Sequence, residues 1–340
     1  MGTGIRVLST IALMLSVLLT GCAPKTMVRD TVASGMVTFN NEFATPWFLS
    51  SEDTDIMCGM GEGMGGMIYP MGPNVDVLLP MISLASGMCA YEKSLEQELR
   101  YLRAMRQNDV ENAQDARTMQ KRYMALSAQR QYLGYKAAVR AFGEPGEECP
   151  RLDDRNERMA YLMGLLVGLQ AFQADFATGG SAGVSTDIVS KVTAGMKCID
   201  SDEFWGLPDA IASMMDVMLA AAGDEGDKLE AGYARLQRAA DVGERNGVRM
   251  VQALQAQLYA MQGKPEKAKQ VIRDHVASIK RTAPNPDFKL MDLMATRTIR
   301  GISDKMWTKA TGQRTPFGKL GTFWDDKPKL ESGLDIDDLL

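Results

Sequence analysis

Residues 153–176 read DDRNERMAYLMGLLVGLQAFQADF, an unusually apolar stretch. Its large apolar side chains recur at steps of three and four residues, which places them on one side of a helix. They are Tyr161, Leu162, Leu165, Leu166, Leu169 and Phe172. A helix this apolar is expected at the centre of the molecule. Nearly every other segment also has helical spacing, and no run shows the strict alternation of a half-buried strand. The sequence therefore predicts an all-α fold.

Two long helical patterns precede this stretch and predict a helical hairpin, over Val75–Asn108 and Val110–Phe142. Breaks follow at Gly143–Gly146, Thr178–Gly183 and Gly223–Gly226, because glycine and proline interrupt helices. Shorter helices are expected over Val184–Ile199, Leu207–Ala222, Leu229–Ala240 and Asp287–Lys305. We predict a single helical domain over residues 22–308, with candidate subdivisions near 143–152 and 223–227, and a polar, acidic, partly ordered tail over 309–340.

One segment matches the small, aromatic and glycine positions of a tetratricopeptide helix pair, with Gly263 at the turn. The matching residues are Leu254, Leu258, Tyr259, Gly263, Pro265, Ala268 and Ile272. The neighbouring helical patterns repeat only the size of such a unit. We therefore expect stacked antiparallel helix pairs resembling tetratricopeptide repeats, without a regular solenoid.

The N-terminus has the layout of a secretory signal, with Arg6 followed by an apolar run from Val7 to Leu19 that is too short to span a bilayer. It ends Leu-Thr-Gly-Cys, the lipobox pattern in which the sulfur of Cys22 is acylated before residues 1–21 are removed. An ordinary signal with a chance cysteine is the alternative. Because Ala23 replaces the aspartate that retains such lipoproteins in the inner membrane, the sequence predicts a lipid anchor on the periplasmic face of the outer membrane.

The charge balance and the cysteines fit an exported protein. The net charge of −5 becomes about −6 when Arg6 is lost with the leader, and an acidic chain argues against nucleic-acid binding. Four cysteines remain after Cys22, namely Cys58, Cys89, Cys149 and Cys198. Three pairings are open; we favour Cys58–Cys89 and Cys149–Cys198, which join elements close in sequence, with four buried free thiols as the alternative.

The first two helical stripes of the mature chain are apolar. One steps through Val28, Val32, Met36, Phe39 and Phe43 and is expected to end before Thr45-Pro46. The second carries Ile56, Met60, Met64 and Met67 among five glycines, which indicates close helix packing or a partly irregular segment. The chain has 25 methionines, and thioethers adapt to varied apolar ligands. A methionine-rich core is one interpretation; a ligand cavity formed by Met57, Met60, Met64, Met67, Tyr91 and Phe172 is the other.

Signatures of catalysis are sparse. His275 is the only histidine, which argues against histidine-rich metal sites. Gly179–Gly183 fits the Gly-x-Ser-x-Gly spacing of a hydrolase elbow around Ser181, with Asp216 and His275 in the right order. That elbow needs a preceding strand, whereas helical spacing continues to Ala177, so a flexible loop and a surface histidine are favoured. Gly61–Gly66 fits a dinucleotide fingerprint only by spacing. We expect no cofactor, no metal and no enzyme activity.

Four stretches resemble the T-component lipoproteins of TRAP transporters, the TatT family. They are Phe39–Phe43 with Ser50–Asp53, Leu84–Tyr91 with Lys121–Tyr123, Gln131, Tyr132 and Tyr135, Leu236–Ala240, and Pro286–Arg297. The resemblance covers most of the mature chain and implies a non-enzymatic all-α protein with tetratricopeptide-like helix pairs. It also implies a homo-oligomer around a pore leading to an apolar cleft, and a periplasmic solute-binding subunit as partner. The sequence departs from the family at Thr298–Arg300, at its glycine-methionine helix, in its cysteines and in its acidic tail.

These observations predict a membrane-anchored binding and docking subunit that helps capture or pass an apolar or organic-acid solute. A scaffold lipoprotein that uses helix pairs to hold other envelope proteins is the alternative. A serine hydrolase using Ser181 and His275 is a distant third.

Overall fold

The computed structural model describes residues 24–146, 148–223 and 225–326. Within these ranges the chain forms helices and no strand. In chain order the α-helices are α1 (Pro24–Phe39), α2 (Thr45–Leu49), α3 (Ile56–Ile68), α4 (Leu79–Arg106), α5 (Val110–Phe142), α6 (Arg155–Thr178), α7 (Ile188–Met196), α8 (Leu207–Ala222), α9 (Gly226–Arg245), α10 (Met250–Met261), α11 (Pro265–Arg281) and α12 (Lys289–Thr311). A π-helical turn, Asn40–Ala44, joins α1 to α2, and 3₁₀ turns lie at Tyr69–Met71, Pro73–Val75 and Pro286–Phe288. The predicted all-α class is confirmed.

Helix α6 lies in the largest apolar core. Asp154 caps its start by accepting a hydrogen bond from the backbone N–H of Glu157 at 2.9 Å, and Gly179 follows its end in the left-handed conformation at φ +80°. Among the described residues α6 is the helix long and apolar enough to cross a membrane, yet 67% of its apolar window is buried inside the protein. The predicted central position of α6 is confirmed.

Helices α4 and α5 form the predicted hairpin. The Ser94 hydroxyl donates to the carbonyl of Gln120 at 3.2 Å, and the Ser127 hydroxyl donates to the carbonyl of Gly87 at 2.8 Å. Both pairs join residues at nearly equal distances in the sequence before and after the connection at residues 107–109. This symmetry is what antiparallel packing of the two helices requires. The hairpin begins later than predicted, at Leu79, because Pro80 lacks an N–H and fits only in the first turn of a helix.

Helix α1 does not end where the sequence predicts. The chain stays helical through Asn40–Ala44 into α2, so the expected stop before Pro46 is wrong. The Thr45 N–H donates to the Asn40 carbonyl, five residues back, and this wider turn lets the helix continue past a proline that lies in the first turn of α2.

Two disulfides join elements that neighbour each other in the sequence. Cys58 on α3 bonds Cys89 on α4, with Cα atoms 5.3 Å apart, and Cys149 bonds Cys198 beyond the end of α7, with Cα atoms 5.4 Å apart. The favoured pairing is therefore confirmed, and four free thiols are not found.

The C-terminal helices are held together by a buried ion pair. Arg249, before α10, contacts Asp292 on α12 at 2.7 Å, and both side chains are almost completely buried. Gly263 forms the predicted turn between α10 and α11 at φ +68°. Helix α12 packs against α10 and α4, so it connects this C-terminal set to the hairpin.

The first part of the predicted tail folds back on the domain. Trp307 donates its indole N–H to the carbonyl of Thr322 at 3.0 Å, Phe323 is buried, and Lys269 contacts Asp325 at 2.6 Å. Residues 327–340 lie outside the described residues, as do the leader and Cys22.

Candidate functional site

A cleft of about 1540 Å³ lies between α4 and α12, with α10 and α11 and the start of α3 at its edges. We call it the α4–α12 cleft. Its apolar surface comes mainly from the two long helices and includes Met88, Leu95, Leu102, Met294, Ile302 and Met306. Trp324, from the folded-back segment, lies at its border. Ligand pockets combine such apolar walls with a few polar groups that orient the ligand.

Arg297 on α12 is one of the charged residues that line the cleft. Its guanidinium donates to Glu92 on α4 at 2.6 Å and to Asp55, just before α3, at 2.7 Å. Burial raises the pKa of Glu92 above its ordinary value, although Arg297 lowers it. One arginine therefore joins three elements around the cleft, because its planar fork can bind two carboxylates at once.

Lys305 brings a charged amine into the cleft. Burial lowers its pKa, but Tyr91 and Glu98 outweigh burial and raise the pKa of Lys305 above its ordinary value. Its ammonium lies 3.7 Å from the Glu98 carboxylate, at the outer limit of an ion pair. The Lys305 amine is therefore protonated at neutral pH and only loosely neutralised.

Two further cations of the cleft, Arg300 and Lys309, form no ion pair with any described residue. The acidic residues around them have partners. Arg314 binds Glu96, Lys289 binds Glu52 at 2.8 Å, and Asp304 accepts a hydrogen bond from the Thr315 N–H at 3.1 Å. Within the described part of the chain, the cleft thus combines apolar walls with two cations that have no ion-pair partner, beside Asp304, whose carboxylate forms no ion pair either.

The six residues predicted to form a ligand cavity do not come together. Tyr91 lines the α4–α12 cleft, whereas the other five do not. Met57 is buried in the main core, and Met60 and Phe172 are partly buried and pack against that core. Met64 packs against a separate cluster around Ile68 and Val75, and Met67 is 65% exposed.

Sequence reasoning missed α12 as a cleft wall. A usable signal was present there, because Met294, Ile302 and Met306 alternate with Arg297, Arg300, Lys305 and Lys309 along one helix. An apolar helix that also carries several cations is unusual for a buried core helix, since charged side chains are rarely buried unpaired.

Ser181 and His275 do not form a catalytic pair. The Ser181 hydroxyl hydrogen-bonds that of Thr178 at 2.7 Å, while the two ring nitrogens of His275 contact Gln252 at 2.8 Å and Thr296 at 3.0 Å. His275 is completely buried, so the expectation of a surface histidine is wrong. Burial, helped by Arg249, lowers the pKa of His275 to about 3.

Other sequence patterns also have structural roles. The glycines of Gly61–Gly66 lie inside α3 instead of in a phosphate-binding loop. The described residues contain no group of three or more metal-ligating side chains. Comparisons with protein-family models, with curated proteins and with solved structures give no match to this chain.

Proposed function

We propose that this protein is a membrane-anchored helical binding and docking subunit that holds an amphipathic organic acid in the α4–α12 cleft. The observation that carries the proposal is the pair of uncommitted cations, Arg300 and Lys309, at the border of an apolar cleft. A carboxylate would pair with these cations and its hydrocarbon part would cover the methionines and leucines. The volume exceeds that of most small-molecule pockets, which favours an elongated ligand.

The anchor and the partner belong to the same proposal. The lipobox before Cys22 supports attachment to the outer membrane. The resemblance to TRAP transporter T-components supports a periplasmic solute-binding subunit as partner and assembly as a homo-oligomer. In this role the protein passes solute to or from its partner and performs no chemistry on it.

The ligand class is tested by comparing decanoate with decanol, which share an apolar chain and differ in charge. We expect decanoate to bind more tightly, and the Arg300→Ser/Lys309→Ser variant to lose about tenfold or more of that affinity, because charge-assisted hydrogen bonds contribute about 1.5 to 3 kcal/mol each. Binding is measured by isothermal titration, and native mass spectrometry identifies any ligand retained on purification.

The matched control is Arg238→Ser/Lys280→Ser, which removes the same charges from exposed positions outside the cleft. It should leave decanoate affinity within about twofold, since distant surface charges are screened. An equal loss of decanoate affinity in both variants would show that the effect comes from net charge alone. Failure of both probes to bind would instead favour the scaffold function, with the cleft receiving a protein segment.

A further inference from the structure

An apolar face runs along the N-terminal helices without a protein partner. Phe39, Phe43 and Trp47 are 60%, 66% and 62% exposed, and the rings of Phe39 and Phe43 stack 5.9 Å apart. Val28 and Val32 extend the face toward the start of α1 and are also exposed. Folded monomers seldom leave such a continuous apolar stripe in water.

The opposite side of the same helices attaches them to the domain. Ala33 is completely buried in the cluster around Ile68 and Val75, and Phe48 and Leu49 are buried in the main core. The helices are therefore fixed in place with one face inward, and the aromatic face is held outward.

The composition of the exposed face is not that of a solvated helix. Between Thr31 and Ser51 the sequence contains one charged residue, Glu42. Solvent-facing helix surfaces normally carry charged residues, whereas phenylalanine and tryptophan are enriched in helices that lie in a membrane interface. Lys25 near the start of α1 suits anionic headgroups, whereas Arg29 pairs with Asp30 at 2.8 Å.

The position of Cys22 limits where this face can be. Helix α1 begins at Pro24, and two residues span at most about 7 Å. Acyl chains on Cys22 would thus hold the start of α1 at the bilayer surface. The helical segment from Pro24 to Leu49 is roughly 39 Å long at 1.5 Å per residue, and Trp47 lies near its far end. Both ends of the face contact lipid only if the segment lies flat.

We propose that the Val28–Trp47 face lies in the headgroup region of the membrane, parallel to its surface, and fixes the orientation of the domain on the bilayer. This inference goes beyond the proposed solute-binding function. The lipid anchor supplies attachment, and the aromatic face removes the free rotation that a single attachment point allows.

The test uses the mature chain, residues 22–340 carrying Cys22→Ser, so that no acyl chain contributes. It is sedimented with vesicles of phosphatidylethanolamine and phosphatidylglycerol at about three to one. We expect measurable binding that falls at least about tenfold in Phe39→Ser/Phe43→Ser/Trp47→Ser, because interfacial affinity scales with the apolar area inserted.

The matched control is Phe176→Ser/Leu219→Ser/Phe317→Ser, which changes three apolar residues of equal or greater exposure on other segments. Its vesicle binding should stay within about twofold of the starting protein. Thermal melts of both triple variants should be unchanged, since all six side chains are exposed. Brominated acyl chains quench the fluorescence of tryptophans that they contact. The part of this quenching that disappears in Trp47→Phe therefore reports contact of Trp47 with lipid.

Equal vesicle binding by both triple variants, or no lipid quenching of Trp47, would overturn the proposal. So would an oligomer in vesicle-free solution that dissociates in the aromatic variant, because the face would then belong to a second copy. The anchor is tested separately in cells with the full chain. There, Cys22→Ala should leave the protein soluble or unprocessed at the precursor mass, and processing to the same mature mass as the starting protein would refute the anchor without affecting the vesicle result.

Discussion

At the scale of single residues, the buried polar cluster of the C-terminal helices explains why a histidine can lie in the core. Arg249 donates to Asp292, to the Ser278 hydroxyl at 2.7 Å and to the Thr282 carbonyl, so its charge is neutralised and its donors are satisfied. Such pairing is what makes a buried arginine tolerable. Burial keeps His275 neutral by lowering its pKa, and the fixed positive charge of Arg249 adds to this effect.

The neutral state of His275 predicts a loss of stability in mild acid. Its folded-state pKa is lowered from 6.5 to about 3, so the unfolded chain takes up a proton first as the pH falls. The contribution of His275 to the free energy of unfolding is complete above about pH 6.5 and disappears toward pH 3. The total loss is up to about 5 kcal/mol at 1.36 kcal/mol per pH unit.

His275→Gln, which remains polar and does not titrate, should flatten the dependence of unfolding free energy on pH between about 6.5 and 4. Denaturant unfolding of the mature protein at several pH values measures this slope. The carboxylates contribute equally to both proteins, so the difference in slope belongs to the histidine. Parallel slopes would show that His275 is protonated in the folded state.

At the scale of elements, the five glycines of α3 have different roles. A Cβ at Gly61 would lie 2.7 Å from the Ala85 carbonyl carbon and would overlap the Ser86 backbone nitrogen, whereas a Cβ at Gly63 meets nothing within 4 Å. Gly61 therefore allows α3 to pack directly on the backbone of α4. Gly63 faces water and contributes only flexibility.

This difference predicts substitutions of opposite sign on one helix. Gly61→Ala should destabilise the protein by about 1 to 3 kcal/mol or more, because two helix backbones must separate to admit the methyl group. Gly63→Ala should stabilise it by about 0.5 to 1 kcal/mol, because alanine favours the helix. Chemical denaturation of both variants measures the shifts. Stabilisation by Gly61→Ala would contradict the packing of α3 on α4.

The elements that the sequence predicts well are those set by local signals. Val110–Phe142 and Leu207–Ala222 have the predicted ends, since Asp109 caps the start of the first helix and glycine or proline lies at the other three boundaries. Contacts between distant segments could not be predicted. Glu92 and Arg297 meet across the cleft although about 200 residues separate them in the chain, and the partners that bury His275 lie on other helices. The predicted cavity was based on the local crowding of methionines. These methionines belong mainly to the core, and Tyr91 is the one residue of the predicted six that lines the cleft.

At the scale of the whole molecule, α12 joins two sets of helices that are far apart in the sequence. It contacts α4 of the N-terminal hairpin and α10 of the C-terminal set, and the α4–α12 cleft lies along this junction. The start of α3 forms an edge of the same cleft. Cys58 and Cys89 both line it, so the disulfide between them fixes the position of α3 against α4 at the edge of the cleft.

The two disulfides are therefore predicted to differ in their effect on binding. In the chain-entropy account, loops of 31 and 49 residues each stabilise the fold by roughly 3 to 4 kcal/mol. Cys58→Ser/Cys89→Ser and Cys149→Ser/Cys198→Ser should lower the melting temperature by similar amounts. Only the first should also weaken decanoate binding at a temperature where both variants are folded, because only that bond borders the cleft. Alkylation of the protein purified without reductant should modify none of these four cysteines. Four reactive thiols would refute both bonds, and equal binding losses would show that general stability, not the cleft edge, controls affinity.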